Sequence, residues 1–144
     1  RLRKFLQSAD CLLMTSGFSF NDAHLAAIID ESLASNRSAA VIALQFNVLD
    51  SEIAACKLAK RRANLSVYAR DGAVINCIAA PWQPGDLPHP AWGPIRASYW
   101  ADPTGKMTPS FLLGNFSAFA RYVALTRADH AIETKGDIPA VGEK

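Results

Sequence analysis

The chain has 144 residues, 50% of them hydrophobic and 19% charged, with a formal net charge of +2. That is enough chain to bury the core of one globular domain. It excludes a disordered or collagen-like chain, and it leaves no broad electrostatic footprint for nucleic acid or a membrane surface.

Basic residues cluster only locally, at Arg1-Leu2-Arg3-Lys4 and from Lys57 to Arg62. Both clusters fall on expected helices, where a solvated face accounts for them. The three cysteines, Cys11, Cys56 and Cys77, are widely spaced and form no CxxC pair. Neither a zinc site nor a redox pair is expected. Cys11 and Cys56 have apolar neighbours and are expected in the core. This usage fits a reducing compartment, so the expected location is cytoplasmic. No apolar run is long enough to span a membrane, and no secretory signal is apparent. The first residue is Arg rather than Met, so upstream residues are expected in the parent protein.

In chain order, Leu2, Phe5 and Leu6 recur at helical spacing and predict a short helix over residues 1–8. The apolar run Cys11 to Thr15 reads as a buried parallel strand. Ser16 to Asp22 is a loop of turn residues, and Asn21 or Asp22 is placed to cap the next helix. That helix runs to Asn36, with Leu25, Ile28, Ile29 and Leu33 on one stripe and Asp30 and Glu31 on a solvated face. Ala39 to Phe46 is a second buried strand. A helix capped by Asp50 or Ser51 follows, through Ala63, with Lys57, Lys60, Arg61 and Arg62 complementing its dipole. Leu65 to Ala69 is a third strand, and Asp71-Gly72 is a turn signal.

Alternating helices and strands imply a layered parallel sheet. The expected fold class is α/β: a partial, Rossmann-like three-layer parallel sheet, followed by a Pro/Trp-rich irregular segment and a final helix. Residues 77–110 hold seven of the eight prolines, with one short strand expected near Ile95 to Trp100. Trp82, Trp92, Tyr99 and Trp100 are expected to pin this segment to the sheet or to offer a contact surface. Phe116, Phe119, Ala120 and Val123 share a face of the last helix. Three units result: a nucleotide-binding core over 1–76, a cover segment with the closing helix over 77–127, and a flexible tail over 128–144.

Ligands of open α/β sheets bind beyond the carboxyl ends of the strands. Three loops lie there: Ser16 to Asp22, Asn47 to Asp50, and Asp71 to Asn76. In the first, Gly17 permits close backbone approach, the helix start suits phosphate, and Ser16 and Ser19 add hydroxyls. The loop is neither GxGxxG nor a P-loop. His24, in the first turn of the second helix, could face a ligand or donate a proton, or is simply a polar residue near a helix start; His89 and His130 have no obvious partner. No GxSxG elbow is present, and Asp22, Asp30 and Glu31 make no metal set.

The stretch from Ala9 to His24, with its Gly17-Phe18-Ser19-Phe20-Asn21-Asp22 core, resembles sirtuin-like domains of bacterial antiphage defence proteins. Val41 to Asn47 and Leu65 to Ile75 resemble later strands of those domains. Phe111-Leu112-Leu113-Gly114-Asn115-Phe116 with Phe119 resembles their closing motif. The resemblance covers residues 1–125. It implies NAD binding, with a parent that cleaves NAD to nicotinamide and ADP-ribose. By the same resemblance, Gly17 and Ser19 approach phosphate or ribose, Asn47 the adenosine ribose, and Asp71-Gly72 the adenine. The implied binding set is Gly17, Phe18, Ser19, Asp22, Asn47, Asp71 and Gly72.

The family's glycine-rich phosphate loop and its catalytic Asn and His have no counterpart here. No catalytic residue is therefore assigned, no metal is expected, and His24 is not given the catalytic role. The expected partners are NAD and a missing N-terminal half or partner subunit, with self-association as a further option. No membrane and no nucleic acid is expected. The competing readings are a non-catalytic nucleotide-binding or oligomerisation module, and an unrelated α/β enzyme with its site under the proline-rich segment.

Overall fold

The computed structural model describes residues 1–83, 85–86, 93–102 and 108–133, with side chains through Arg127. It is a mixed α/β fold on a five-stranded sheet of order β1-β2-β3-β4-β5, flanked by a separate two-stranded ladder.

Helix α1 (Leu2–Leu6) leads into strand β1 (Leu12–Ser16). Helix α2 (Ala23–Ser35) connects β1 to β2 (Ala40–Leu44). A 3-10 turn at Leu49–Ser51 and helix α3 (Ile53–Ala59) connect β2 to β3 (Leu65–Tyr68). β1, β2 and β3 are parallel, as the alternating pattern requires. Asp22 caps α2, its Oδ1 accepting from the backbone N–H of His24 and Leu25 at 3.0 Å each. For α3 the expected cap fails. Its N-cap is Glu52, with no side-chain capping bond, because Asp50 and Ser51 are taken up by the 3-10 turn.

The register sorts the strands into two faces. Leu13 pairs with Val41 and Val41 with Leu65, while Ala43 pairs with Val67 and Val67 with Val74. This face packs on Ile29 and Leu33 of α2 and on Ala55, Cys56, Leu58 and Ala59 of α3. Burial there stabilises the fold by about 1.5–3 kcal/mol for each large side chain. Cys11 and Cys56 lie in this core as expected. On the opposite face Leu12 and Met14 remain 53% and 45% exposed. Tyr68, at the far end of that face, is covered by Trp82 and Phe111.

Four further expectations change. The sheet is mixed, not wholly parallel, because β4 (Gly72–Ile75) and β5 (Ile78–Pro81) form an antiparallel hairpin. Its two-residue turn, Asn76-Cys77, has φ of 49° and 68°, the left-handed pair that matches strand twist in tight hairpins. Second, Ile95 to Trp100 is not a strand. Helix α4 spans Gly93–Tyr99, and only Trp100–Ala101 pairs, as β6, with Ser110–Phe111, as β7. Third, the closing helix α5 runs Phe116–Glu133 and so continues past Arg127 into the residues expected as the tail. Of the face shared by Phe116, Phe119, Ala120 and Val123, Phe116 is 67% and Val123 37% exposed. Tyr122 instead packs edge-on against Tyr99 of α4.

The fourth concerns charge. Asp30 is not a solvated residue of α2. Its Oδ1 accepts from Arg62 Nε at 2.6 Å and its Oδ2 from Arg61 Nη2 at 3.0 Å. These arginines lie beyond the end of α3, so they tie α3 to α2 rather than complement a helix dipole. Trp82 does pin the irregular segment: its Nε1 donates to Ala69 O at 2.8 Å. Trp92, His89 and residues 134–144 lie outside the described residues, as does the side chain of His130. Among the described residues no helix is long and apolar enough to cross a membrane.

Candidate functional site at the carboxyl ends of the strands

The parallel strands deliver three loops to one end of the sheet, and hydrogen bonds join them. Gln45, 3% exposed at the end of β2, donates from Nε2 to Phe18 O at 3.0 Å. Arg70 N donates to Asn47 O at 3.0 Å, and Leu49 N donates to Asp71 Oδ1 at 2.9 Å. The first loop is thus fastened to the second and the second to the third. Gln45 was missed from the sequence because one polar residue ending an apolar strand carries no distinctive pattern.

Gly17 has φ of 72°, and a Cβ added there meets nothing within 4 Å. The glycine serves the backbone conformation, and open space lies beside it. Phe18 packs on the core and stacks at a tilt on Phe20, centroids 4.9 Å apart. Ser19 between them is exposed. One oxygen of the Asp22 carboxylate is spent on the α2 cap. Asn47 is exposed, and its Nδ2 donates to Glu52 Oε1 at 3.0 Å. Asp71 is exposed in the β3–β4 turn. Gly72 lies inside β4 and is buried. A Cβ on it would sit 2.5 Å from Ala80 O and 2.8 Å from Leu49 Cδ1, which makes it a packing glycine.

A fourth element meets the same end of the sheet. Ser16 Oγ donates to Leu113 O at 3.2 Å, and Phe111 N donates to Arg70 O at 2.9 Å. A Cβ on Gly114 would overlap the backbone carbonyl of Gln45. The segment from Phe111 to Gly114 therefore crosses the carboxyl ends of the strands, and the Ser16 hydroxyl is committed to it. Beside it lies a pocket of about 290 Å³ lined by Phe46, Arg70, Phe111, Leu112, Gly114, Asn115 and Ala118. Asn115 caps α5, its Oδ1 accepting from Ser117 N at 2.9 Å and Ala118 N at 3.2 Å. This pocket thus combines the exposed Arg70, an apolar wall and the positive end of a long helix, features that suit an anionic ligand with a flat ring.

Among the described residues, no group of three or more His, Cys, Asp or Glu could hold a metal ion. His24 is exposed in the first turn of α2. Burial pushes the Cys56 thiol up from its ordinary pKa; Lys60 opposes this, while Glu52, Asp50 and Asp71 reinforce it. A raised pKa favours the neutral thiol. No protein-family profile matches this sequence, and no curated protein matches it.

Proposed function

We propose that the chain forms one wall of a Rossmann-like, sirtuin-like NAD site. Its parent would hydrolyse NAD to nicotinamide and ADP-ribose in antiphage defence. The chain itself carries no residue in the catalytic role, so turnover requires groups supplied from elsewhere. In this reading Gly17 and Ser19 meet phosphate or ribose, and Asn47 meets the adenosine ribose. Arg70 and the start of α5 add positive potential at the same end of the sheet.

The observation that supports the reading best is the fastening of the three loops through Gln45, Asn47 and Asp71. It fastens the loops that carry Ser19 and Asn47 to one another at the carboxyl ends of parallel strands, where ligands of open α/β sheets bind. The test is a calorimetric titration with NAD. Ser19→Ala and Arg70→Ala should each weaken binding about tenfold, or about 1.4 kcal/mol. Absence of heat at about millimolar NAD, in this chain and in its full-length parent, would remove the proposal.

A non-catalytic assembly module is the second reading, and one observation favours it. Among the described residues β1 is the outer strand of the sheet, and it leaves Leu12 and Met14 exposed beside it. An apolar edge of this kind is ordinarily covered. Sedimentation at several concentrations distinguishes this reading: it requires a dimer or larger species that Met14→Lys dissociates.

A further inference from the structure

Strand β1 is outermost in the sheet, with β2 on its inner side. Ala40 N donates to Cys11 O at 2.9 Å, and Leu12 registers with Ala40. In a parallel ladder each residue turns both backbone groups to one side, and the next residue turns them to the other. Leu13 and Thr15 therefore bond to β2, as Cys11 does. Leu12 and Met14 turn their N–H and C=O to the open edge, where nothing among the described residues pairs with them. Both residues are about half exposed. The rings that cover this face of the sheet, Trp82 and Phe111, gather on Tyr68 of β3, two strands from the edge.

Edges of this kind are ordinarily blunted by a charge or a proline. β1 reads Leu12-Leu13-Met14-Thr15-Ser16 and carries neither. The other outer strand, β5, ends in Pro81, which has no N–H to give. The order of residues in β1 also complements itself. About a two-fold axis at Leu13, Leu12 exchanges both backbone bonds with Met14 of a second copy. Leu13 then lies opposite Leu13, Cys11 opposite Thr15 and Asp10 opposite Ser16, so no like charges meet. Leu12 and Met14 lie on the face away from α2 and α3, and the exposed side chains of the two copies join in one apolar cluster.

We propose that β1 pairs edge to edge, antiparallel, with β1 of a second copy of this chain, joining the two sheets into one. This pairing rests on the assembly reading above and gives such an assembly its interface. A two-fold axis uses up both open β1 edges, so association stops at a dimer. A strand of this length spans only about 17 Å, and the contact falls below the roughly 800 Å² per partner of a standard interface. The dimer is accordingly weak, with an expected Kd of about 10–100 µM.

Amide hydrogen exchange of the whole chain, followed by NMR beside sedimentation, tests this. From about 20 µM to about 1 mM, a range that brackets the expected Kd, exchange at the Leu12 and Met14 amides should slow severalfold. The Leu13 and Thr15 amides, bonded within the sheet, should be slow throughout. Met14→Pro deletes an outward N–H and spares the bonds to β2, so it should remain monomeric. Ile78→Lys, on β5, should dimerise as the unaltered chain does. A dimer whose Leu12 and Met14 amides stay fast overturns the edge pairing and leaves the assembly reading standing. A dimer in Met14→Pro, or dissociation by Ile78→Lys, does the same. A monomer at the highest concentration overturns both. Slow exchange at Leu12 and Met14 at every concentration would mean that the chain covers this edge itself, which also overturns the pairing.

Discussion

The backbone of Gly114 rests on the carbonyl of Gln45, with no room for a side chain between them. The closing segment is thereby pressed onto the end of β2, and Gln45 in turn holds the loop after β1 through Phe18 O. One glycine thus couples the closing segment to the loop after β1.

A paired substitution tests that coupling. Gly114→Ala must displace backbone, which costs about 1–3 kcal/mol, and it should also speed hydrogen exchange at the Phe111 amide. Gly17→Ala meets no neighbour, so it carries only the left-handed backbone cost of about 1–2 kcal/mol. Urea unfolding should rank Gly114→Ala as the more damaging. Unchanged exchange at Phe111 would show that the segment is held by something else.

Asn64 makes a second point of closure. Its Nδ2 lies 3.2 Å from Leu33 O, 3.3 Å from Asn36 O and 2.9 Å from Ala39 O. One side chain therefore serves the end of α2 and the entry to β2. Asn64→Ala leaves acceptors without a donor and should cost about 1–3 kcal/mol. Asn64→Asp should be worse, since it places a negative charge against three carbonyls. Equal stability of the two variants in urea would show that water replaces the amide.

The parts of the fold that were legible in the sequence are those with strong periodicity. The apolar runs at β1, β2 and β3 and the stripe of α2 announced themselves because each buries a face against the same core. The β4–β5 hairpin did not. Its turn is Asn76-Cys77, and cysteine at the second position hides a conformation that glycine would have advertised. α4 was misread because Ile95, Tyr99 and Trp100 have strand-forming side chains. Pro94, one residue into the helix, was the overlooked signal, since proline is accommodated in a first turn. The first two loops at the carboxyl ends were legible as loops, whereas most of the third, expected over Asp71 to Asn76, is strand β4. Their fastening through Gln45, and the crossing of Phe111 to Gly114 over them, depend on long-range contacts that no local pattern encodes.

Asp30 offers a test of the α2–α3 tie. It is 23% exposed in its side chain and receives both Arg61 and Arg62. A charge-assisted pair of this partly buried kind exceeds an exposed surface pair. Asp30→Ala should lower stability by about 1–2 kcal/mol, and most of the loss should persist at about 1 M salt, where exposed pairs are screened. If the loss vanishes in salt, the bridge is only a surface contact.

Cys56 sets a pH dependence whose direction follows from its surroundings. Burial raises its thiol pKa in the folded chain, with Glu52, Asp50 and Asp71 adding to the rise and Lys60 opposing it. Below the ordinary thiol pKa of about 8.5, folded and unfolded chains are both neutral there, and the contribution to stability is whole. As pH rises past that value the unfolded chain releases the proton while the folded chain keeps it. The unfolded state is then favoured, and stability falls until the folded pKa is passed. Urea midpoints measured from about pH 7 to about pH 10 should therefore decline, and Cys56→Ala should decline less steeply over the same range. Lysines and tyrosines titrate at the upper end in both proteins, so the difference between the two curves is the quantity to read. Parallel curves would mean that the buried thiol ionises as freely in the folded chain as in the unfolded one, against the burial seen around it.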